Sequence, residues 1–147
     1  MSPPLSEPTI AWLRQSGPAA GSIFGNPLDM WQVFTDPVYL TELLDLAYKD
    51  PCVGMLIVDR LIKRKAYHMP ESLDPNPQLI DFLEKEGYQK PTVITVDSDG
   101  GDLDLASEGT ALRAEFCRAK IPAYPSLQRA ARALIHLHRY HSNFMQR

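Results

Sequence analysis

The chain is poor in cysteine, with only Cys52 and Cys117 among its 147 residues. It has no apolar run near the roughly 20 residues that a membrane-crossing helix needs. Both cysteines fall in segments patterned as apolar strand and helix, which predicts buried thiols in a reducing compartment in place of a disulfide. The opening residues, Met1 to Pro8, lack a basic start and an apolar stretch after it, so no secretory signal is expected. A net charge of −3 gives no electrostatic ground for nucleic acid or an anionic membrane as partner. The expected setting is cytoplasmic. The chain also lacks a Rossmann glycine fingerprint, a P-loop, zinc-type Cys/His spacing and a persuasive Ser-His-Asp order.

What is present is the composition of a globular chain. A hydrophobic fraction of 44% at this length is enough for one domain with a real core. The thirteen prolines sit mainly between patterned segments, where they punctuate elements. A single domain over 1–147 is expected, with 1–18 as a helical lead-in and 143–147 as a tail.

The periodicity alternates between strand and helix. A short helix is expected from Ser6 through Leu13, stopped by Gly17-Pro18, and then a weak strand over 19–26. Pro27 drives Asn26 out of the helical region, so a turn starts there. Asp36-Pro37 reads as an N-cap with proline at the first helical position. From it Val38, Leu40, Leu43, Leu44, Ala47 and Tyr48 form an apolar face at helical spacing. The continuous apolar run Cys52–Val58 predicts a strand in the middle of a sheet covered on both faces. After the long Asp59–Asn76 stretch, Asp74-Pro75 or Asn76-Pro77 caps a helix with Leu79, Ile80 and Leu83 inward. Thr92–Val96 is a strand, and Leu112, Phe116 and Ala119 mark a helix. Ile121–Tyr124 is a short strand, and Ser126 caps the last helix.

Strands separated by helices imply parallel pairing with crossover helices. The fold class expected is α/β: a three-layer flavodoxin-like sandwich of four or five parallel strands with helices on both faces. Ligands on such sheets bind beyond the carboxyl ends of the strands. Those ends are expected at Asn26–Asp29, Asp59–Lys65, Asp97–Asp102 and Tyr124–Ser126.

Several clusters there could carry chemistry. Asp97, Asp99 and Asp102 beside Gly100-Gly101 are candidate metal ligands. However, the position of a calcium loop that needs glycine holds Asp102, and acidic residues at a helix start are also favoured by the helix dipole. Lys63, Arg64 and Lys65 are candidate anion contacts or a solvated basic turn. Trp31 and Phe34 are either a partner-facing patch or core. His138 and His141 share a helix face, where a helix C-terminus favours histidine without any metal.

One stretch resembles a family. Ala119-Lys120-Ile121-Pro122-Ala123-Tyr124-Pro125-Ser126 followed by Arg129-Ala130-Ala131-Arg132-Ala133-Leu134 is similar to the ending of the succinyl-CoA synthetase-like flavodoxin domain of NDP-forming acyl-CoA synthetases. Gly25-Asn26-Pro27-Leu28-Asp29-Met30 resembles that domain's opening, and Lys90-Pro91 its proline-led strand. The matches keep the family's order over roughly residues 5 to 142. The resemblance makes Asn26, Pro27, Asp29, Pro122, Tyr124 and Ser126 the motif and interface candidates.

In that family a CoA-binding Rossmann domain, a domain carrying a phosphohistidine, this second flavodoxin-like domain and an ATP-grasp domain work together. The resemblance therefore implies a non-catalytic docking or assembly domain of an acid–thiol ligase. It would bind no cofactor alone, while CoA, ATP or ADP and magnesium belong to the parent enzyme. Its partners would be the phosphohistidine/CoA-binding and ATP-grasp domains, on the same or another chain, and a homo-oligomer is compatible. None of His68, His136, His138 and His141 lies in the loop pattern of the family's phosphoryl carrier, so no catalytic histidine carries over. The chain also departs from the family in having Lys120 where glycine is usual and Asp59-Arg60-Leu61-Ile62 where a glycine pair follows the second strand. The alternative reading is a stand-alone ligand- or divalent-cation-binding module on the same scaffold.

Overall fold

The structure, a computed structural model, describes residues 5–17, 21–62, 74–86, 89–98 and 101–144. It is α/β. In chain order the elements are α1 (Glu7–Ser16), a 3-10 turn (Trp31–Phe34), α2 (Pro37–Lys49), β1 (Leu56–Leu61), α3 (Asn76–Glu86), β2 (Thr92–Asp97), α4 (Leu103–Arg118), β3 (Ala123–Tyr124) and α5 (Leu127–Phe144). They gather into two compact units. One holds α1, the 3-10 turn, α2 and α3, and the other holds the strands with α4 and α5.

In the sheet unit the strand order is β1-β2-β3, and both pairings are parallel. The register runs from Leu56 opposite Thr92 to Leu61 opposite Asp97, with Ile94 opposite Ala123 and Thr95 opposite Tyr124. Every residue of β2 from Thr92 to Val96 is buried. The strand in the middle of the described sheet is therefore β2, whereas the sequence pattern put Cys52–Val58 there. β1 begins only at Leu56 because the preceding backbone is already committed to a turn. Val53 N donates to Asp50 O at 3.2 Å, and Cys52 N donates to the Asp50 carboxylate at 2.8 Å.

Of the four or five parallel strands expected, three are seen among the described residues. The segment expected as a first strand instead folds back on itself. Ile23 and Asp29 exchange backbone hydrogen bonds of 2.9 and 3.2 Å around the cis Asn26–Pro27 peptide.

α5 lies on the sheet through Ala130 and Leu134, which pack with Val93, Ile57 and Tyr124. α4 packs against β2 and β3. A Cβ on Gly109 would stand 2.5 Å from Ile62 Cδ1, so a bare glycine lets α4 come that close. Neither cysteine is buried. Cys52 is in the turn that ends α2, and Cys117 follows the fully buried Phe116 on the side of α4 that faces solvent.

The end of α4 explains Lys120, which is the described non-glycine residue with positive φ, at 63°. Its N–H donates to Cys117 O at 3.0 Å, and Ile121 N donates to Phe116 O at 2.9 Å. This is the paired arrangement that closes a helix on a left-handed residue, normally glycine. Phe116 and Ile121, both 0% exposed, supply the hydrophobic contact that accompanies it.

In the helical unit, Asp36 caps α2 as expected, its carboxylate accepting from Val38 N and Tyr39 N at 3.0 Å each. The buried stripe of α2 is Tyr39, Leu40, Leu44 and Tyr48. Val38, expected inward, is 66% exposed because it sits in the first turn beside the cap. Leu13, Met30 and Tyr39 form the core of this unit, with Trp12 stacked on Tyr39 at 5.5 Å between ring centroids. Tyr48 meets Phe82 of α3 edge-on at 5.5 Å.

One carboxylate ties the start of α1 to the end of α2. Asp50, 3% exposed, accepts from Thr9 Oγ1 at 2.6 Å, Ser6 Oγ at 2.9 Å and Ser6 N at 3.0 Å, besides Cys52 N. Burial alone pushes its pKa up. The hydrogen bonds from Thr9, Cys52 and Ser6 outweigh that and hold it at about 2, against an ordinary 3.8.

Two predictions follow from these local arrangements. Because the folded-state pKa of Asp50 lies below its unfolded value, its contribution is fully present above pH 3.8 and is lost as pH falls toward 2. Acid titration of unfolding free energy should therefore show a loss of order 1–2 kcal/mol across that window, and the loss should be missing in Asp50→Asn. Lys120→Gly removes the left-handed penalty and should raise stability by about 1 kcal/mol in urea unfolding. A loss of stability would show that Lys120 is not strained in solution.

Candidate functional site

Parallel pairing brings the carboxyl ends of β1, β2 and β3 side by side at one edge of the sheet unit, the position where open α/β sheets bind ligands. By register, Asp59 stands opposite Thr95, and Thr95 opposite Tyr124, so one polar row crosses all three strands. Thr95 is 0% exposed. A hydroxyl that deep needs a partner, and it donates to the Asp59 carboxylate. Asp59 itself is exposed. It is a carboxylate with one oxygen held by the buried strand and the rest of the group turned to solvent.

Next to this row, Arg60 is buried at 3% exposed and stands opposite Val96. Arg113 of α4 reaches the same end of β2, where Nη1 donates to Val96 O at 2.8 Å and Nη2 to Thr110 Oγ1 at 2.9 Å. The guanidinium thereby satisfies a carbonyl near the end of the strand and ties α4 to it.

The row can bind and position. The Thr95 hydroxyl and the Asp59 carboxylate make the contact of a nucleophile–base pair, but at 0% exposure the hydroxyl is closed to a substrate. The signal for it in the sequence was faint: a threonine inside an apolar run and an aspartate closing another, 36 positions apart.

The residues singled out from sequence fall into separate places. Pro122 directly precedes β3, Tyr124 ends it, and Ser126 directly precedes α5. Pro122 O accepts from Ile94 N at 2.9 Å, Tyr124 is half-buried against the Val93 cluster, and Ser126 O and Oγ accept from Ala130 N at 3.1 Å and Arg129 N at 3.4 Å. Asp97 ends β2 and is exposed. Asp102 caps α4, its carboxylate accepting from Asp104 N at 2.8 Å and Leu105 N at 3.1 Å. Asp99, Lys63, Arg64 and Lys65 lie outside the described residues. Among the described residues no three His, Cys, Asp or Glu side chains are grouped so that they could hold a metal ion.

Asn26, Pro27 and Asp29 are all exposed and belong to the helical unit, in the loop closed by the Ile23–Asp29 bridge. Trp31 in the same unit is 47% exposed, and the Phe34 side chain lies outside the description. No described helix is long and apolar enough to cross a membrane.

No family model matches the chain, and no curated protein matches it. Its structure is similar to the crystal structure of PH0766 from Pyrococcus horikoshii OT3, with a TM-score of 0.61 and 19% identity over 84% of this chain. The likeness is one of fold. The chain spans about a quarter, 26%, of the length of that protein.

The Asp59–Thr95 bond is open to a double-mutant cycle with Asp59→Ala and Thr95→Val, read by chemical unfolding. The two changes should couple by about 1 kcal/mol. Purely additive effects would mean that the bond is absent in solution.

Proposed function

We propose that this chain is a docking and assembly domain of an NDP-forming acyl-CoA synthetase, non-catalytic by itself, on a three-layer flavodoxin-like scaffold. It would act with phosphohistidine/CoA-binding and ATP-grasp domains, which bring CoA, ATP or ADP and magnesium to an acid–thiol ligation. The observation that carries this reading is the conformation of Lys120. The family-like motif Ala119–Ser126 departs from the family at this position by replacing glycine, and the backbone there keeps the left-handed form that favours glycine, φ 63°. A motif matched only by chance would not be expected to carry that backbone at that residue.

Two further facts support the reading. The motif's Ile-Pro-Ala-Tyr segment supplies β3 and its Ser126 starts α5, in the strand-to-helix arrangement that the family's ending requires. The fold is also similar to a segment making up 26% of a longer protein, which suits a domain that works as part of a larger assembly. β1 runs on through Asp59 and Arg60 to Leu61, with no glycine pair where the family carries one, which argues that phosphate is not held there as it is in the family.

The experiment mixes the purified chain with separately prepared phosphohistidine/CoA-binding and ATP-grasp domains of an NDP-forming acyl-CoA synthetase from the same genome. ATP, magnesium, CoA and a panel of short carboxylic acids are then added. A stable complex in sedimentation, and acyl-CoA formation that depends on adding the chain, are expected. Turnover by the chain alone, or no complex with either domain, would overturn the proposal.

A further inference from the structure

We draw no further inference here: the strongest candidate, the exposed apolar stripe of Leu137, Tyr140 and Phe144 on the second half of α5, carries none because nothing in the structure shows what covers it.

Discussion

The constraint on which the sheet unit depends is the burial of β2. A strand whose residues Thr92 to Val96 are all buried must have its backbone groups paired by neighbours, since an unpaired buried N–H or C=O costs as much as a lost hydrogen bond. β1 and β3 supply that pairing, and two prolines help at the strand ends. Pro91 O accepts from Leu56 N, and Pro122 O accepts from Ile94 N, each at 2.9 Å. A proline can lend its carbonyl to a ladder without leaving an N–H to be satisfied. The two buried hydroxyls of β2 are met as well, Thr92 by Lys90 O at 3.0 Å and Thr95 by Asp59. The polar row, two residues short of the carboxyl ends of β1 and β2, is therefore a by-product of satisfying the middle strand.

The helical unit solves a similar problem with a side chain. α1 and α2 have ends whose backbone groups lack partners within the helix. The Asp50 carboxylate at the end of α2 accepts from the Ser6 N–H and hydroxyl and the Thr9 hydroxyl at the start of α1, and from the Cys52 N–H. Four donors on one carboxylate are enough to keep it ionised despite its burial, and the result is a pKa of about 2. The same commitment bends the chain at Pro51–Cys52 and delays the first ladder bond of β1 until Leu56.

Much of the fold was legible in the sequence, for local reasons. Asp36-Pro37 and Ser126 mark helix starts through side-chain and backbone chemistry confined to a few residues, and α1 begins after Ser6 as read, although the Ser6 hydroxyl bonds the distant Asp50 and does not cap the helix. The β2 run and the short Ala123–Tyr124 strand carry their own β-branched and aromatic signals. What failed depended on distant partners. The apolar character of Cys52–Val58 does not reveal that Asp50 holds its first residues in a turn. Ile23 and Phe24 look like a strand until Asp29 pairs with Ile23 across the Asn26–Pro27 loop. The candidate site divides in the same way. The Pro122, Tyr124 and Ser126 junction was visible as a motif, whereas the pairing of Asp59 with Thr95 exists only once two strands lie side by side.

The parallel register has a kinetic corollary. Leu56 must find Thr92 and Ile94 must find Ala123, and the intervening segments are of similar length, with about 36 residues in one and roughly 30 in the other. The chain-entropy penalties of the two closures then differ by only about 0.2 kcal/mol, so loop length does not decide which edge joins β2 first. The six-residue ladder with β1 offers far more backbone pairing than the two-residue contact with β3. β3 gains its hold from what flanks it, the closed end of α4 on one side and the anchored half of α5 on the other. Its place in the sheet is therefore inseparable from the packing of α4 and α5 against it.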